Sequence, residues 1–541
     1  MKHAARQPLL AATAAAAVIA TGLIGPASPA LAANPTSEQS TTQGFRKAIT
    51  VPGIQEHLRA FQAHSDTGGG NRVAGSVGFE KSVEYVAARA RAAGLQVSFD
   101  DFTFLYNADA TPPTLAQTAP TATTYVDGND YSSMTFSESR VAATRVVHAV
   151  DLVLPAAVLP QPSNTSGCEV SDFAGFPAGA IALLQRGTCT FATKSGNAKA
   201  AGAYGAVIMN EGNNVGRSGV LGGTLGAANL GAALGTTTAV GVDLANGIRN
   251  GDTGSVVTYR IDRVQETRTT RNVIAETPTG DPNQVVVVGA HLDSVPRGAG
   301  INDNGSGSAG ILEIAEQLAV RGFDNRNKVR FIWWSAEEFG LLGSRAYVAE
   351  LPQAERDRIA LNLNFDMIGS PNYARFVYDG DNSTFPAQPN GTADGPAGSG
   401  EIERVFTDYF KAAGLASGET PFSGRSDYGP FIAPGVDIPA GGLFTGAEGL
   451  KTAAEVGFFG GTAGVAYDAC YHLACDTIAN VNLQGLDEMS DAAAHATLHF
   501  AKRNFVKQPL VDPTSPVTGI ATTPSGGGLH EDDHDHEGDV G

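Results

Sequence analysis

The chain has 541 residues, of which 42% are hydrophobic and 17% are charged, and its formal net charge is −19. It is long enough to form two or three packed domains. The acidic balance argues against nucleic acid as a partner, because the sequence lacks a basic stripe that would displace counterions from phosphates.

The first 32 residues have the pattern of a secretory signal peptide. Lys2 and Arg6 precede an Ala/Leu/Ile run over 9–24, and a small-residue cleavage site ends at Ala32. No later stretch approaches about 18 uninterrupted apolar residues, so we expect no membrane-spanning anchor. The mature protein should therefore be secreted and extracellular.

Four cysteines in an exported protein indicate two disulfides rather than thiol chemistry. Their spacing favours the local pairs Cys168 with Cys189 and Cys470 with Cys475. The other possible connectivities stay open, since spacing alone does not exclude them.

Helical patterns at 52–64 and 78–93, followed by a strand pattern at 95–104, open an α/β domain. Short β-type runs with Ala/Gly turns and few charges then indicate an inserted β-rich domain. The final segment is rich in Pro, Thr, Ser and Gly and should be disordered, because it cannot bury enough apolar surface. The expected segments are a signal peptide (1–32), the first part of the α/β domain (33–130), the inserted domain (131–265), the main part of the α/β domain (266–508) and an acidic tail (509–541).

A strand that is apolar on both faces, VVVVGAH, ends at His291, and polar residues follow at its carboxyl end. Asp293 comes two residues later, and Asp303 lies in the NDNGSG turn that opens a helical pattern over 306–321. In open α/β sheets, ligands bind in the crevice beyond the strand ends. This stretch is therefore the first candidate for chemistry.

Further acids stand where the next strands stop. The strand at 328–335 leads to Glu337 and Glu338, and the strand at 359–365 ends at Asp366. Strands that alternate with helices and carry acids at one edge predict an α/β fold. The expected architecture is a doubly wound, mostly parallel central sheet with helices on both faces.

A histidine between Cys470 and Cys475 completes a set of metal ligands. One histidine and one carboxylate at each of two metals, with one carboxylate shared, suit a pair of borderline divalent cations. The residues that supply this set are His291, Asp303, Glu338, Asp366 and His472. Any one of these acids alone is better explained as a solvated loop residue, but their regular spread over strand ends favours a metal site. His495 and His499, in the last helical pattern, are assigned no role.

The segment 167–210 contains RGTCTF followed by K-x-x-x-A-x-x-A-G-A-x-G-A-V-I. It resembles the protease-associated domain. The resemblance implies a noncatalytic β-rich lid that affects substrate access. A small β domain with no bearing on the site is the alternative.

The α/β domain resembles the secreted co-catalytic zinc aminopeptidases, which include aminopeptidase S, aminopeptidase Y and bacterial leucyl aminopeptidase. The motifs AHLDS, NDNGSG, WWSAEEFGLLGS, NFDMIG and CYHLACD occur in this order within 44–505, with the lid inserted as in aminopeptidase Y. The resemblance implies two Zn²⁺ ions per chain. It assigns His291 and Asp366 to one zinc, Glu338 and His472 to the other, and Asp303 to both.

The resemblance also implies that Glu337 is the general base, that Tyr471 donates to the oxyanion, and that the peptide bond from Asp303 to Asn304 is cis. The chemistry is consistent with these roles. Two zinc ions about 3.5–4 Å apart can hold a bridging hydroxide and polarise a carbonyl, while a carboxylate moves the proton to the departing amine.

The neighbouring side chains are expected to support that chemistry. On an extended backbone Glu337 and Glu338 would diverge, which makes one the base and the other a ligand. Asp293 can orient the imidazole of His291 as a hydrogen-bond acceptor. The hydroxyl of Tyr471 can lie over the developing oxyanion.

The expected substrate preference rests on the family resemblance more than on a physical argument from the residues. GRSDYGPF and GGLFTG match segments near the family's substrate pocket, which makes Arg425 and Phe444 candidates for substrate binding. A surface arginine and a core phenylalanine explain these two residues equally well. We expect a monomer that removes large apolar N-terminal residues, such as leucine, from peptides and proteins.

Two other function classes stay open. One is a catalytically silent binding protein, although the intact ligand set and base count against it. The other is a glutaminyl cyclase, which uses a single metal, or a carboxypeptidase, which needs a basic anchor for a terminal carboxylate. Metal content separates the cyclase from the aminopeptidase.

Overall fold

The structure is a computed structural model that describes residues 37–156, 164–213, 217–385, 393–517 and 519. Within these residues the helices are α1 (Ser37–Arg46), α2 (Val51–Thr67), α3 (Val77–Ala92), α4 (Phe191–Ala200), α5 (Thr238–Ala245), α6 (Gly305–Val320), α7 (Leu342–Glu350), α8 (Gln353–Arg356), α9 (Ser399–Ala412), α10 (Gly429–Ile432), α11 (Ala453–Phe459) and α12 (Leu483–Lys502). The strands are β1 (Gln96–Ala119), β2 (Thr123–Thr124), β3 (Tyr131–Ser133), β4 (Arg140–Ala149), β5 (Ile181–Gln185), β6 (Gly205–Met209), β7 (Ala233–Thr236), β8 (Gly251–Glu276), β9 (Asp281–His291), β10 (Asn327–Trp334), β11 (Ile359–Phe365), β12 (Phe376–Tyr378), β13 (Gly418–Thr420) and β14 (Ala440–Phe444).

The expected signal peptide, 1–32, lies outside the described residues. Among the helices that the structure describes, none is both long enough and apolar enough to cross a bilayer.

Strand β9 lies at the centre of the α/β domain. It pairs in parallel with β10 on one side and with β11 on the other, and β11 pairs in parallel with β14. The register places Val288 of β9 between Phe331 and Leu363. Because these strands are parallel, their carboxyl ends reach the same edge of the sheet. The expected fold class, a mostly parallel sheet covered by helices, is confirmed for this domain.

The four consecutive valines of β9 belong alternately to two cores. Val286 and Val288 are buried in the larger core, which also contains side chains of α2, α3, α6 and α12. Val285 and Val287 pack with Trp334 on the opposite face. The alternation follows from the two-residue period of a strand. Each buried valine side chain contributes about 1.5–3 kcal/mol, so the valine run holds the centre of the sheet in place.

The inserted domain shares one continuous sheet with the α/β domain. β8 pairs with β10 at its carboxyl end and with β4 nearer its amino end. β1 runs antiparallel to β8 from the Gln96–Glu276 pair to the Ala119–Val256 pair. Both long strands therefore cross from one domain into the other, and the expected boundary at residue 265 lies inside β8.

The inserted domain is built around the parallel strands β4, β5, β6 and β7, with β3 antiparallel to β7. Its two cores lie on opposite faces of β5 and β6. Leu183 and Val207 belong to one core, and Leu184 and Ile208 to the other. The disulfide between Cys168 and Cys189, expected from the sequence, is present in this domain.

The tail is not disordered from its first residue. Residues 509–517 lie against the α/β domain, where the carboxylate of Asp512 accepts the N–H of Gly398 before α9 at 2.9 Å. Leu510 packs against the larger core. The prediction of disorder is wrong for this stretch, because hydrogen bonds to the folded domain compensate for its few apolar residues. The rest of the tail, 520–541, lies outside the described residues.

Candidate active site

Loops from the carboxyl edge of the sheet converge on one cleft. His291 is the last residue of β9, Asp366 directly follows β11, and Glu337 and Glu338 stand in a short 3₁₀ turn after β10. A more distant loop brings His472 to the same cleft. Four separate segments therefore supply the predicted ligands, as parallel strand ends allow.

Asp303 lies between the two histidines. Its Oδ1 is 3.2 Å from Nε2 of His291, and its Oδ2 is 3.1 Å from Nε2 of His472. Nε2 of His291 also lies 3.3 Å from Oδ1 of Asp366, and Nε2 of His472 lies 3.0 Å from Oε2 of Glu338. The five predicted ligands thus form two triplets that share Asp303.

Hydrogen bonds fix the turn that presents Asp303. The carboxylate of Asp476 accepts the N–H of Asn302 at 2.8 Å and the N–H of Asp303 at 3.0 Å. The side-chain amide of Asn304 donates to the carbonyl of Phe365 at 2.9 Å, which ties the turn to the end of β11. The peptide bond from Asp303 to Asn304 is cis, as expected.

The cleft opens to solvent beside His472. The side chains of His291, Asp303 and Glu338 are 1%, 5% and 3% exposed, whereas that of His472 is 31% exposed. A substrate therefore reaches the ligand set from the side on which His472 lies.

The described residues could hold divalent cations. Oε1 of Glu338 is buried and makes no hydrogen bond to the residues that the structure describes, and Oδ1 of Asp366 makes none either, although Nε2 of His291 lies 3.3 Å from it. Leaving a buried carboxylate oxygen without a partner is costly. Two imidazole nitrogens and these carboxylates are donor types that zinc takes. Burial would raise the pKa of Asp303, but hydrogen bonds with His291 and His472 hold that pKa below its usual range.

Glu337 and Glu338 face different histidines. Oε2 of Glu337 is 3.9 Å from Nε2 of His291, farther than the carboxylates of the two triplets. The two side chains diverge, as expected. They do so from a 3₁₀ turn rather than from an extended strand, so the cause expected from the sequence was wrong. Burial raises the pKa of Glu337 well above its usual range.

Asp293 lies behind His291. Nδ1 of His291 is 3.3 Å from the backbone carbonyl of Asp293 and 3.6 Å from its Oδ1. The same Oδ1 accepts the N–H of Glu337 at 3.2 Å. Asp293 is therefore placed to orient both the imidazole and the turn that carries the two glutamates.

Tyr471, Arg425 and Phe444 all line the cleft. The ring of Tyr471 stacks on the imidazole of His472 with 3.8 Å between the ring centroids. Arg425 donates to the hydroxyl of Tyr471 at 3.1 Å and to Glu448 at 2.8 Å. Burial raises the pKa of Tyr471 well above its usual range, so the hydroxyl keeps its proton.

The disulfide between Cys470 and Cys475 is also present, as the spacing predicted. It closes the short loop that contains Tyr471 and His472. The loop therefore presents both side chains from a covalently closed segment.

Two residues of the site were missed in the sequence. Arg72 is fully buried and donates to the carbonyl of Ala299 at 2.9 Å and to that of Leu292, in the loop between His291 and Asp303. Arg72 is 227 positions from Ala299, so no local pattern connected the two. Ser426 donates to Oδ2 of Asp366 at 2.6 Å, and its place in GRSDYGPF offered a signal.

Comparisons with known proteins relate the chain to peptidases. Peptidase family M28 matches residues 272–497, and the PA domain matches residues 149–249. An aminopeptidase of Pseudomonas aeruginosa is 44% identical over 459 residues, which cover 85% of this chain and 82% of that protein. The chain belongs to peptidase family M28. Leucine aminopeptidase 2 of Trichophyton equinum is 38% identical to this M28 peptidase over 530 residues, covering 97% of this chain and 99% of the relative.

Solved structures show the same fold. An aminopeptidase from Aneurinibacillus sp. strain AM-1 aligns with a TM-score of 0.62 at 25% identity, over 88% of this chain and 98% of the other. A zinc aminopeptidase from Bacillus subtilis aligns with a TM-score of 0.58 at 23% identity, over 86% of this chain and 98% of the other. The M28 fold with its inserted PA domain therefore accounts for nearly the whole described chain.

Proposed function

We propose that this M28 peptidase is a secreted aminopeptidase that uses two zinc ions to remove large apolar residues, such as leucine, from the N-termini of peptides. The observation that carries the proposal is the position of Asp303, with one carboxylate oxygen towards each histidine. The names of the relatives support the activity, since both are called aminopeptidases and one a leucine aminopeptidase.

The two triplets support an assignment of ligands to the zinc ions. The proposed ligands are His291 and Asp366 for one ion, Glu338 and His472 for the other, and Asp303 for both. Zinc bound in this way would lower the pKa of water and polarise the scissile carbonyl.

Glu337 is proposed as the general base. Its carboxylate lies beside the His291 triplet at a longer distance than the ligands, within reach of a water in the cleft. It would take a proton from the attacking water and return it to the departing amine. A pKa raised by burial suits this exchange, because the group then holds the proton more readily after the attack.

Tyr471 is proposed to stabilise the developing oxyanion. Because its hydroxyl oxygen accepts a hydrogen bond from Arg425, the proton of Tyr471 is left to donate to the substrate. A hydrogen bond from a fixed donor at this position would strengthen as negative charge develops on the oxyanion in the transition state.

The cleft favours an N-terminal over a C-terminal substrate end. The four carboxylates that line it would offset the charge of the two zinc ions, so the filled site would carry no excess positive charge to hold a terminal carboxylate. Arg425 is held by Glu448, so it is not a free anchor of the kind that a carboxypeptidase needs. Apolar and aromatic residues line the rest of the cleft and suit a large apolar side chain: Leu341, Met367, Tyr378, Tyr428 and Phe444.

Aminoacyl p-nitroanilides test this proposal. Leucine p-nitroanilide should be cleaved at least about tenfold faster than the arginine analogue, the discrimination that a hydrophobic pocket usually gives. N-acetyl-leucine p-nitroanilide should not be cleaved, and a chelator should abolish turnover. Cleavage of the acetylated substrate, or full activity after metal removal, would contradict the proposal. For secretion, the N-terminus of the protein recovered from the medium should be Ala33.

A further inference from the structure

The inserted domain begins before residue 131, because Leu115 and Tyr125 already belong to one of its two cores. It reaches the mouth of the cleft through the turn that follows Tyr125. The 126–132 turn leads into β3 and lies beside the loop that carries His472. A Cβ added to Gly128 would come within 3.8 Å of Leu473 Cδ2 and 2.9 Å of Arg297 Nη1. Since His472 is the most exposed of the ligands, this turn borders the open side of the site.

An ion pair connects the 126–132 turn to the loop that carries Arg297. Nη2 of Arg297 lies 2.8 Å from Oδ1 of Asp127 and 3.4 Å from Oγ of Ser132. The side chains of Asp127 and Arg297 are 26% and 30% exposed, so the pair is partly shielded from solvent. Arg297 belongs to the loop between His291 and Asp303.

The loop of Arg297 in turn rests on the loop of His472. A Cβ added to Gly298 would come within 2.5 Å of the carbonyl of Leu473, so these two backbones are in direct contact. The turn of the inserted domain and the two catalytic loops therefore form one contiguous contact, with the ion pair at its centre.

Apart from this contact, the backbone pairing that connects the two domains is a two-stranded neck, on which Arg263 of β8 also bonds to Asp109 of β1 and to Ser133 of β3. Among the described residues, β8 pairs only with β1 between Ile261, where its pairing with β4 ends, and Val273, where its pairing with β10 begins. β1 has register shifts between Asp109 and Thr114 within this region. A two-stranded ribbon with bulges is a weak constraint on the orientation of a domain. The ion pair is therefore well placed to set that orientation.

We propose that the ion pair of Asp127 and Arg297 is a latch that fixes the inserted domain at the cleft mouth. The latched 126–132 turn selects substrates by the structure of the chain beyond their first residue. It admits short or unstructured peptides and excludes N-termini that remain attached to folded protein. This inference rests on the proposed aminopeptidase activity and assigns Asp127 and Arg297 as specificity determinants that do not touch the reacting atoms.

The test compares three substrates that share an N-terminal leucine: leucine p-nitroanilide, an unstructured decapeptide and a folded protein whose leucine precedes a stable element. The variants are Asp127→Asn, Arg297→Gln and the exchange that combines Asp127→Arg with Arg297→Asp. Asp101→Asn is the matched control, because Asp101 pairs with Arg271 at 3.0 Å on the ribbon and away from the mouth.

With the latch broken, kcat/KM for the folded protein should rise roughly fivefold to tenfold, the effect expected of one partly shielded ion pair. The kcat/KM for leucine p-nitroanilide should stay within about twofold to threefold of the wild-type value. This change is well under the tenfold change that 1.4 kcal/mol produces. The exchange variant should restore the wild-type ratio between the two substrates, and Asp101→Asn should leave that ratio unchanged.

An unchanged ratio in both single variants would overturn the latch. So would a fall in kcat for leucine p-nitroanilide at a constant ratio, because Arg297 would then only support the catalytic loops. A wild-type chain that fails to cleave leucine p-nitroanilide would instead reject the proposed aminopeptidase activity itself.

Discussion

At the scale of single residues, the site depends on giving adjacent glutamates different surroundings. Glu338 contacts His472 at 3.0 Å, whereas Glu337 lies 3.9 Å from His291. The backbone N–H of Glu337 donates to the carboxylate of Asp293. The 3₁₀ turn that contains both glutamates follows Ala336, which has a φ of 55°. In the proposed division of roles, Glu338 would hold a metal ion and Glu337 would move a proton.

Glu337→Gln tests this division of roles. The amide cannot accept the proton, so kcat should fall by about 10²–10⁴ while KM changes little. Zinc content, measured by elemental analysis, should equal that of the wild type. Glu338→Gln is the matched control and should lose zinc together with activity. Retained activity in Glu337→Gln, or loss of zinc from it, would mean that the two roles are exchanged.

At the scale of elements, the loop between Cys470 and Cys475 carries two of the proposed active groups. The disulfide spans a sequence separation of 5, so it constrains little of the unfolded chain. The other disulfide, between Cys168 and Cys189, closes a separation of 21 and lies in the inserted domain. A loop of that length contributes about 3 kcal/mol by chain entropy.

Reduction should therefore separate activity from stability. The Cys470→Ser/Cys475→Ser double variant should lose most of its activity, because Tyr471 and His472 are no longer held together, with little change in Tm. The Cys168→Ser/Cys189→Ser variant should lose Tm while its activity at low temperature is kept. Thermal unfolding and leucine p-nitroanilide assays on both variants check this. Equal losses of activity in the two variants would contradict it.

The sequence was informative where structure is local. The strand expected at 359–365 was found unchanged, and the grouping of the candidate ligands His291, Glu338 and Asp366 could be inferred because parallel strands bring their carboxyl ends to one edge. The strand expected at 95–104 was found to extend to Ala119. Its length depends on pairing with β8, more than 130 residues away, and no local pattern records that partner. The contact of Arg72 with Ala299 was missed for the same reason.

At the scale of the whole molecule, one sheet joins the catalytic and inserted domains. Its strand order runs β13–β12–β14–β11–β9–β10–β8–β4–β5–β6–β7–β3. The first tail residues also contribute to the fold, since Asp512 and Leu510 contact the α/β domain. Short motifs could not show this, because the contacts join distant segments.

Two truncations test the role of the tail. Removing 520–541 should leave Tm unchanged if composition correctly predicts a disordered end. Removing 509–541 should lower stability by about 1–3 kcal/mol, from the lost cap at α9 and the lost burial of Leu510. Thermal unfolding of both truncated chains gives the comparison, and Asp512→Ala isolates the cap. Equal Tm values for the two truncations would contradict the packing of residues 509–517.

The central claim is that Asp303 joins two zinc sites in one catalytic centre. Elemental analysis of the purified full chain, combined with leucine p-nitroanilide turnover during stepwise chelation, tests it most directly. We predict two zinc ions per chain, loss of turnover as zinc is removed, recovery when zinc is restored, and loss of both ions in Asp303→Asn. A fully active enzyme that holds a single tightly bound metal would contradict the account.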